Sequence, residues 1–143
     1  MRTIVIATGG FDPIHSGHIN YLLEAKSLGD LLYVGVNTDA WLIRKKVKYF
    51  LPWEERSTIV ANLKPVNKIV EFDDFDNSAK DAIIQVRKMH PKDKIIFANG
   101  GDRTSNNIPE MSIEDNNLEF IFGVGGDYKK NSSSWILKAW SQQ

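Results

Sequence analysis

The sequence predicts an α/β protein built on a doubly wound, five-stranded parallel sheet. Five short, β-branched apolar runs recur along the chain at regular intervals. They are almost continuously apolar instead of alternating, which suits strands covered on both faces. Helical apolar patterns separate them, and strands alternating with helices at this spacing argue a parallel sheet.

The first run, residues 3–7, ends at the glycine pair Gly9-Gly10. Residues 31–36, 68–72, 94–98 and 118–122 are the other four. Residues 16–28 carry an apolar stripe of Ile19, Leu22, Leu23 and Ala25, with Gly29 where a C-terminal stop belongs. Residues 53–63 follow Pro52 and hold Glu54 and Glu55 in the first turn, where carboxylates oppose the helix dipole. Residues 77–90 repeat Ala79, Ala82, Ile83 and Val86 and stop before Pro91. Residues 132–140 form a last short helix with Trp135, Ile136, Ala139 and Trp140.

At 143 residues the chain is close to the modal size of one domain, so residues 1–143 are expected to form a single unit. Eighteen basic residues balance eighteen acidic ones, which argues against a nucleic-acid-binding body. With no cysteine, disulfide frameworks and thiolate metal sites are excluded, and a reducing, cytoplasmic setting is expected. The first apolar run is far too short for a membrane span or a signal sequence.

In doubly wound sheets, ligands sit beyond the carboxyl ends of the strands. The segment after the first strand reads Gly9-Gly10-Phe11-Asp12-Pro13-Ile14-His15-Ser16-Gly17-His18. Glycines admit close backbone approach, and a helix N-terminus behind them offers N–H groups to an anion. His15 and His18 are three apart, so both imidazoles share one face of a helical turn. Two adjacent donors suit the charge that develops on phosphate oxygens during group transfer. A metal site shared with Asp12, or a merely polar helix start, are the competing readings of these residues.

Residues 9–18 resemble the (G/T/C)-F-D-x-x-H-x-G-H signature of the cytidylyltransferase-like nucleotidyltransferases. The similarity continues through Tyr21-Leu22, Ala25, Leu28-Gly29-Asp30 and Val36-Asn37-Thr38-Asp39. It is greatest to the heptose-1-phosphate adenylyltransferase and glycerol-3-phosphate cytidylyltransferase branch. The resemblance implies a Rossmann-like α/β/α sandwich and transfer of a nucleoside monophosphate from ATP or CTP to a phosphorylated small molecule. It also implies Mg²⁺ as cofactor and a homodimer, with neither nucleic acid nor membrane as partner. Gly9, Gly10, Phe11, Asp12, His15, Gly17 and His18 would bind the nucleotide, with His15 and His18 catalytic and Asp12 also facing the acceptor.

Arg44-Lys45-Lys46-Val47-Lys48 follows the second strand, where a triphosphate would lie. By resemblance, Lys45 and Lys48 contact phosphates, Lys45 catalytically, with Lys46 an alternative. Trp53-Glu54-Glu55-Arg56 resembles the family's x-E-x-R, which makes Arg56 an acceptor-binding residue suited to bidentate phosphate contact. Asn99-Gly100-Gly101-Asp102-Arg103 resembles the turn that lines the base and ribose, implying Gly100 and Asp102; Arg103 stands where the heptose branch commonly has an aromatic residue. Ser132-Ser133-Ser134 resembles the family's I-S-T-T-x-I, with serines in place of threonines. Ser132 is a good N-cap, and the three would present donors to the β- and γ-phosphates. Lys129 or Lys130 stands in for an arginine often found upstream. Two rival functions share these residues: a nucleotide-binding sensor without turnover, and a His/Asp metal hydrolase.

Overall fold

The computed structural model describes residues 1–101, 108–126 and 132–142. Five parallel strands, β1 (Thr3–Gly9), β2 (Leu31–Val36), β3 (Lys68–Val70), β4 (Lys94–Gly100) and β5 (Leu118–Val124), form one sheet in the order β3-β2-β1-β4-β5. Among the described residues the helices are α1 (Ser16–Ser27), α2 (Asp39–Lys46), α3 (Trp53–Ala61), α4 (Lys80–Met89) and α5 (Ser133–Ser141), and a 3₁₀ turn spans Pro109–Ser112. The predicted α/β class and its five parallel strands are present.

Period-two alternation assigns the two faces of the central strands. Val5 and Ala7 of β1 join Val34, Ile96, Leu22, Ala25 and Val60 in one apolar cluster, beneath α1 and α3. Ile4 and Ile6 point the other way and pack with Ile95, Phe97, Ala82, Ile83 and Val86, beneath α4. Every one of these side chains is at most 4% exposed, and each fully buried aliphatic one contributes roughly 1.5–3 kcal/mol by leaving water. The result is a three-layer sandwich.

The chain leaves β1 toward β2 on one side, while β4 lies on the other. That reversal opens a crevice at the carboxyl end of β1, the switch point of doubly wound sheets. Five of the expected boundaries differ in the structure. β1, β4 and β5 each run two residues beyond their apolar runs, so Gly9 and Gly100 belong to strands at the mouth of this crevice. β3 stops at Val70, and α4 starts at Lys80 because Asn77 (φ 63°) cannot continue a right-handed helix. Among the described residues no helix is long and apolar enough to cross a membrane.

Candidate active site

The first loop builds its two imidazoles from local hydrogen bonds. His15 is the N-cap of α1, and its Nδ1 accepts the Gly17 N–H at 3.0 Å. The Nδ1 of His18 reaches back to accept the His15 N–H at 3.2 Å, closing a reciprocal capping box made of histidines. With Nδ1 an acceptor in both rings, the neutral form of each carries its proton on Nε2. The rings lie 3.9 Å apart at 34°, and Phe11 meets His18 edge-on at 5.1 Å. Burial lowers the His18 pKa from 6.5 to about 4, helped by the neighbouring His15 and Lys46. His18 is therefore a neutral N–H donor near pH 7, suited to hydrogen-bonding a phosphate oxygen. Gly17 is required by packing: a Cβ there would stand 2.8 Å from His15 Cε1.

Two charged residues expected at the ligand are consumed inside the protein, and both expectations are corrected. Asp12 is 2% exposed, and its carboxylate accepts the N–H groups of Phe50 and Leu51 at 2.6 and 2.7 Å. Lys46 lies 3.6 Å from that carboxylate and donates to the Asp12 carbonyl at 2.7 Å. Asp12 thus fastens the loop between α2 and α3 beneath the first loop, with no oxygen left facing a ligand. Arg56 is 1% exposed. Its guanidinium donates to the carbonyls of Leu51, Gly10 and Asn37 and to Asp39 at 2.6–2.9 Å. Those carbonyls need a donor wherever the first loop crosses α3, so Arg56 acts as an internal clamp and does not reach an acceptor.

The crevice is a cleft of about 260 Å³ whose lining includes Gly9, Gly10, Phe11, His18, Lys45 and Gly100. Of the basic run, Lys45 lines the cleft, its ammonium 4.6 Å from the centre of the Trp41 ring. Lys48 is exposed and is not among the described lining residues, and Lys46 is tied to Asp12. Ser132 caps α5 by accepting the Trp135 N–H at 3.1 Å. The Ser133 hydroxyl donates to the Pro13 carbonyl at 2.8 Å, which brings the positive end of α5, Ser134 included, against the histidine loop. Asp102, Arg103, Tyr128, Lys129 and Lys130 lie outside the described residues. The Trp53 indole donates to the Val36 carbonyl at 3.0 Å in the core.

Sequence reasoning missed much of the cleft wall. Asn37, Trp41, Asn77, Ser78, Ala79, Asn99 and Glu110 all line it. Asn37 and Asn99 stand at the carboxyl ends of β2 and β4, a position that signals ligand contact in this class of sheet. Asp74 receives the Asn37 amide, the Thr38 N–H and the Thr38 hydroxyl at 2.7–3.0 Å, holding the segment before α4 against the cleft. No periodicity marks Glu110, which arrives from a 3₁₀ turn remote in sequence.

A glycine-lined crevice at the switch point, with paired imidazoles and a helix N-terminus beside it, makes up the candidate site of this α/β domain. The chain belongs to the cytidylyltransferase-like family, which it matches over residues 6–136. It is 29% identical to the bifunctional protein HldE of Geobacter sulfurreducens over 99% of this chain and 28% of that one. It is 49% identical to the FAD synthase of Archaeoglobus profundus over 50% of this chain and 46% of that one. The chain thus spans less than half the length of these relatives. A lipopolysaccharide core biosynthesis protein from Thermoplasma volcanium superposes with a TM-score of 0.64 at 26% identity, covering 90% of this chain and 100% of that one.

Proposed function

We propose that this domain is a nucleotidyltransferase that moves a nucleoside monophosphate from ATP or CTP onto the phosphate of a small phosphorylated acceptor. One observation carries the reading: the His15–His18 capping box, which holds two imidazoles with Nε2 protons at the carboxyl end of β1. An acceptor phosphate oxygen attacks the α-phosphorus in line, the bond from that phosphorus to the β-bridging oxygen breaks, and pyrophosphate leaves. Hydrogen bonds from His15 and His18 stabilise the charge growing on the α-phosphate oxygens, while Lys45 and the α5 N-terminus neutralise the remaining phosphates. No residue becomes covalently modified; rate comes from positioning and electrostatics. Mg²⁺ arriving with the donor would supply charge neutralisation on its phosphates, with Lys45 and the α5 N-terminus as the protein's own contribution. Among the described residues no three His, Cys, Asp or Glu side chains gather to hold a metal.

The FAD synthase relative, and the homology to bifunctional HldE, support a transferase reading without naming the acceptor. The test is pyrophosphate release with ATP, CTP, GTP and UTP and Mg²⁺ against sugar, polyol and amino-alcohol phosphates, including heptose 1-phosphate and glycerol 3-phosphate. Release that requires one NTP and one acceptor together is expected. NTP binding with no release across the whole panel contradicts transfer and favours a nucleotide sensor.

A further inference from the structure

Glu110 is the anomaly of the cleft wall. Its side chain is 1% exposed, carried by the 3₁₀ turn Pro109–Ser112. One carboxylate oxygen, Oε2, accepts the Ala79 N–H at 2.6 Å and so caps the start of α4. The other, Oε1, is buried with no hydrogen-bond partner among the described residues. A buried carboxylate oxygen left unpaired is costly, and such groups in folded proteins call for a partner. Glu110 lines the cleft together with Ser78, Ala79 and Asn77. Asn77 adds the complementary group. Its Oδ1 is held by the Arg44 guanidinium, at 3.3 Å from Nε and 3.1 Å from the second nitrogen, so its amide offers NH₂ to anything else it meets.

We propose that Glu110 is a specificity-determining residue whose Oε1 accepts a hydroxyl of the phosphorylated acceptor, selecting a polyol or sugar phosphate. The proposal rests on the transfer function proposed above and names the group that reads its acceptor. A hydroxyl donates one hydrogen bond and accepts others, so it satisfies Oε1 and the Asn77 NH₂ together. An ammonium group offers only donors and leaves the Asn77 amide unanswered. Of the aromatic rings lining the cleft, Trp41 already carries the Lys45 ammonium at 4.6 Å, so it is not a vacant face for a cationic head group. A site that hydrogen-bonds a substrate hydroxyl discriminates strongly against analogues lacking it, because its own buried groups are then unpaired.

The experiment is calorimetric binding without NTP, using glycerol 3-phosphate, glucose 1-phosphate, phosphoethanolamine and inorganic phosphate as probes. Wild-type protein is expected to bind a hydroxylated ester at least about 10-fold more tightly than the other two, the range for hydrogen bonds to charged groups. Glu110→Gln keeps an oxygen for the Ala79 N–H but turns a donor toward the hydroxyl. It is expected to lose that preference while thermal stability and NTP binding stay unchanged. Should Glu110→Gln fail to fold, monodeoxy glucose 1-phosphates on the wild type carry the test, with removal of one hydroxyl costing about 10-fold. Hydroxylated esters that bind no better than inorganic phosphate, tighter binding of phosphoethanolamine, a preference surviving Glu110→Gln or an indifferent deoxy series each overturn the proposal. Failure of transfer with this preference intact counts against the transfer reading alone. Transfer intact without the preference counts against Glu110 alone.

Discussion

The histidines of residues 15–18 and the charged residues Asp12, Lys46 and Arg56 sit within one small region, yet the fold uses them in opposite ways. Each imidazole spends one nitrogen on a local backbone N–H, and its second nitrogen carries the proton in the neutral ring. Asp12 and Arg56 spend their strong contacts on backbone and charged side chains of other segments and are 2% and 1% exposed. Groups bonded within their own turn remain available to a ligand, whereas groups that bridge distant segments become part of the scaffold. The motif therefore mixes presenters with holders.

The comparison breaks most visibly at Arg56. Replacing Arg56 by Met leaves three carbonyls and Asp39 without their donor, and breaking such a buried network costs about 3–5 kcal/mol. A fall in Tm of about 10 °C or more is expected in thermal melts. An unchanged Tm with a raised acceptor KM would instead make Arg56 a ligand. His15→Ala removes both the cap and a phosphate donor. A drop in kcat of about 100-fold, near the loss of one oxyanion donor, is expected in steady-state assays, together with about 1 kcal/mol of stability.

Gly17→Ala places a methyl against the His15 ring and should lower kcat about 10-fold through ring displacement, with NTP binding retained in calorimetry. The acid limb gives a further measure. The unfolded chain protonates His18 near 6.5 and the folded chain only near about 4. Between those values the unfolded state binds more protons, so stability falls as pH drops through that window. Denaturant titrations at pH 7, 5.5 and 4 should show a shallower decline in His18→Gln than in the wild type. The smallest difference separates two lysines. Lys45→Ala should raise the KM of a phosphate substrate about 10-fold, while Lys48→Ala, exposed and off the described lining, should move it less than about 2-fold.

Periodicity and punctuation made the sheet, four of the five helices and the histidine loop legible, because each depends on local pattern. The α2 helix gave no apolar stripe to read, since its eight residues are mostly polar or exposed. Asp12 and Arg56 were misread because residue type and position suggest a ligand equally well whether a carboxylate or guanidinium faces solvent or folds inward. Only tertiary structure shows that Phe50, Leu51 and the carbonyl of Gly10 claim them. Glu110 gave no local signal at all, as its partner Ala79 lies thirty-one residues away.

The most direct measurement is pyrophosphate formation by wild-type protein and by His18→Asn at saturating NTP and acceptor. The asparagine oxygen can still accept the His15 N–H, so the loop stays capped while the imidazole donor is gone. A loss of about 100- to 1,000-fold in kcat, with NTP binding within a few-fold of wild type, is the expected result. Equal pyrophosphate formation by both proteins would contradict the assignment of His18 to the transferred phosphate.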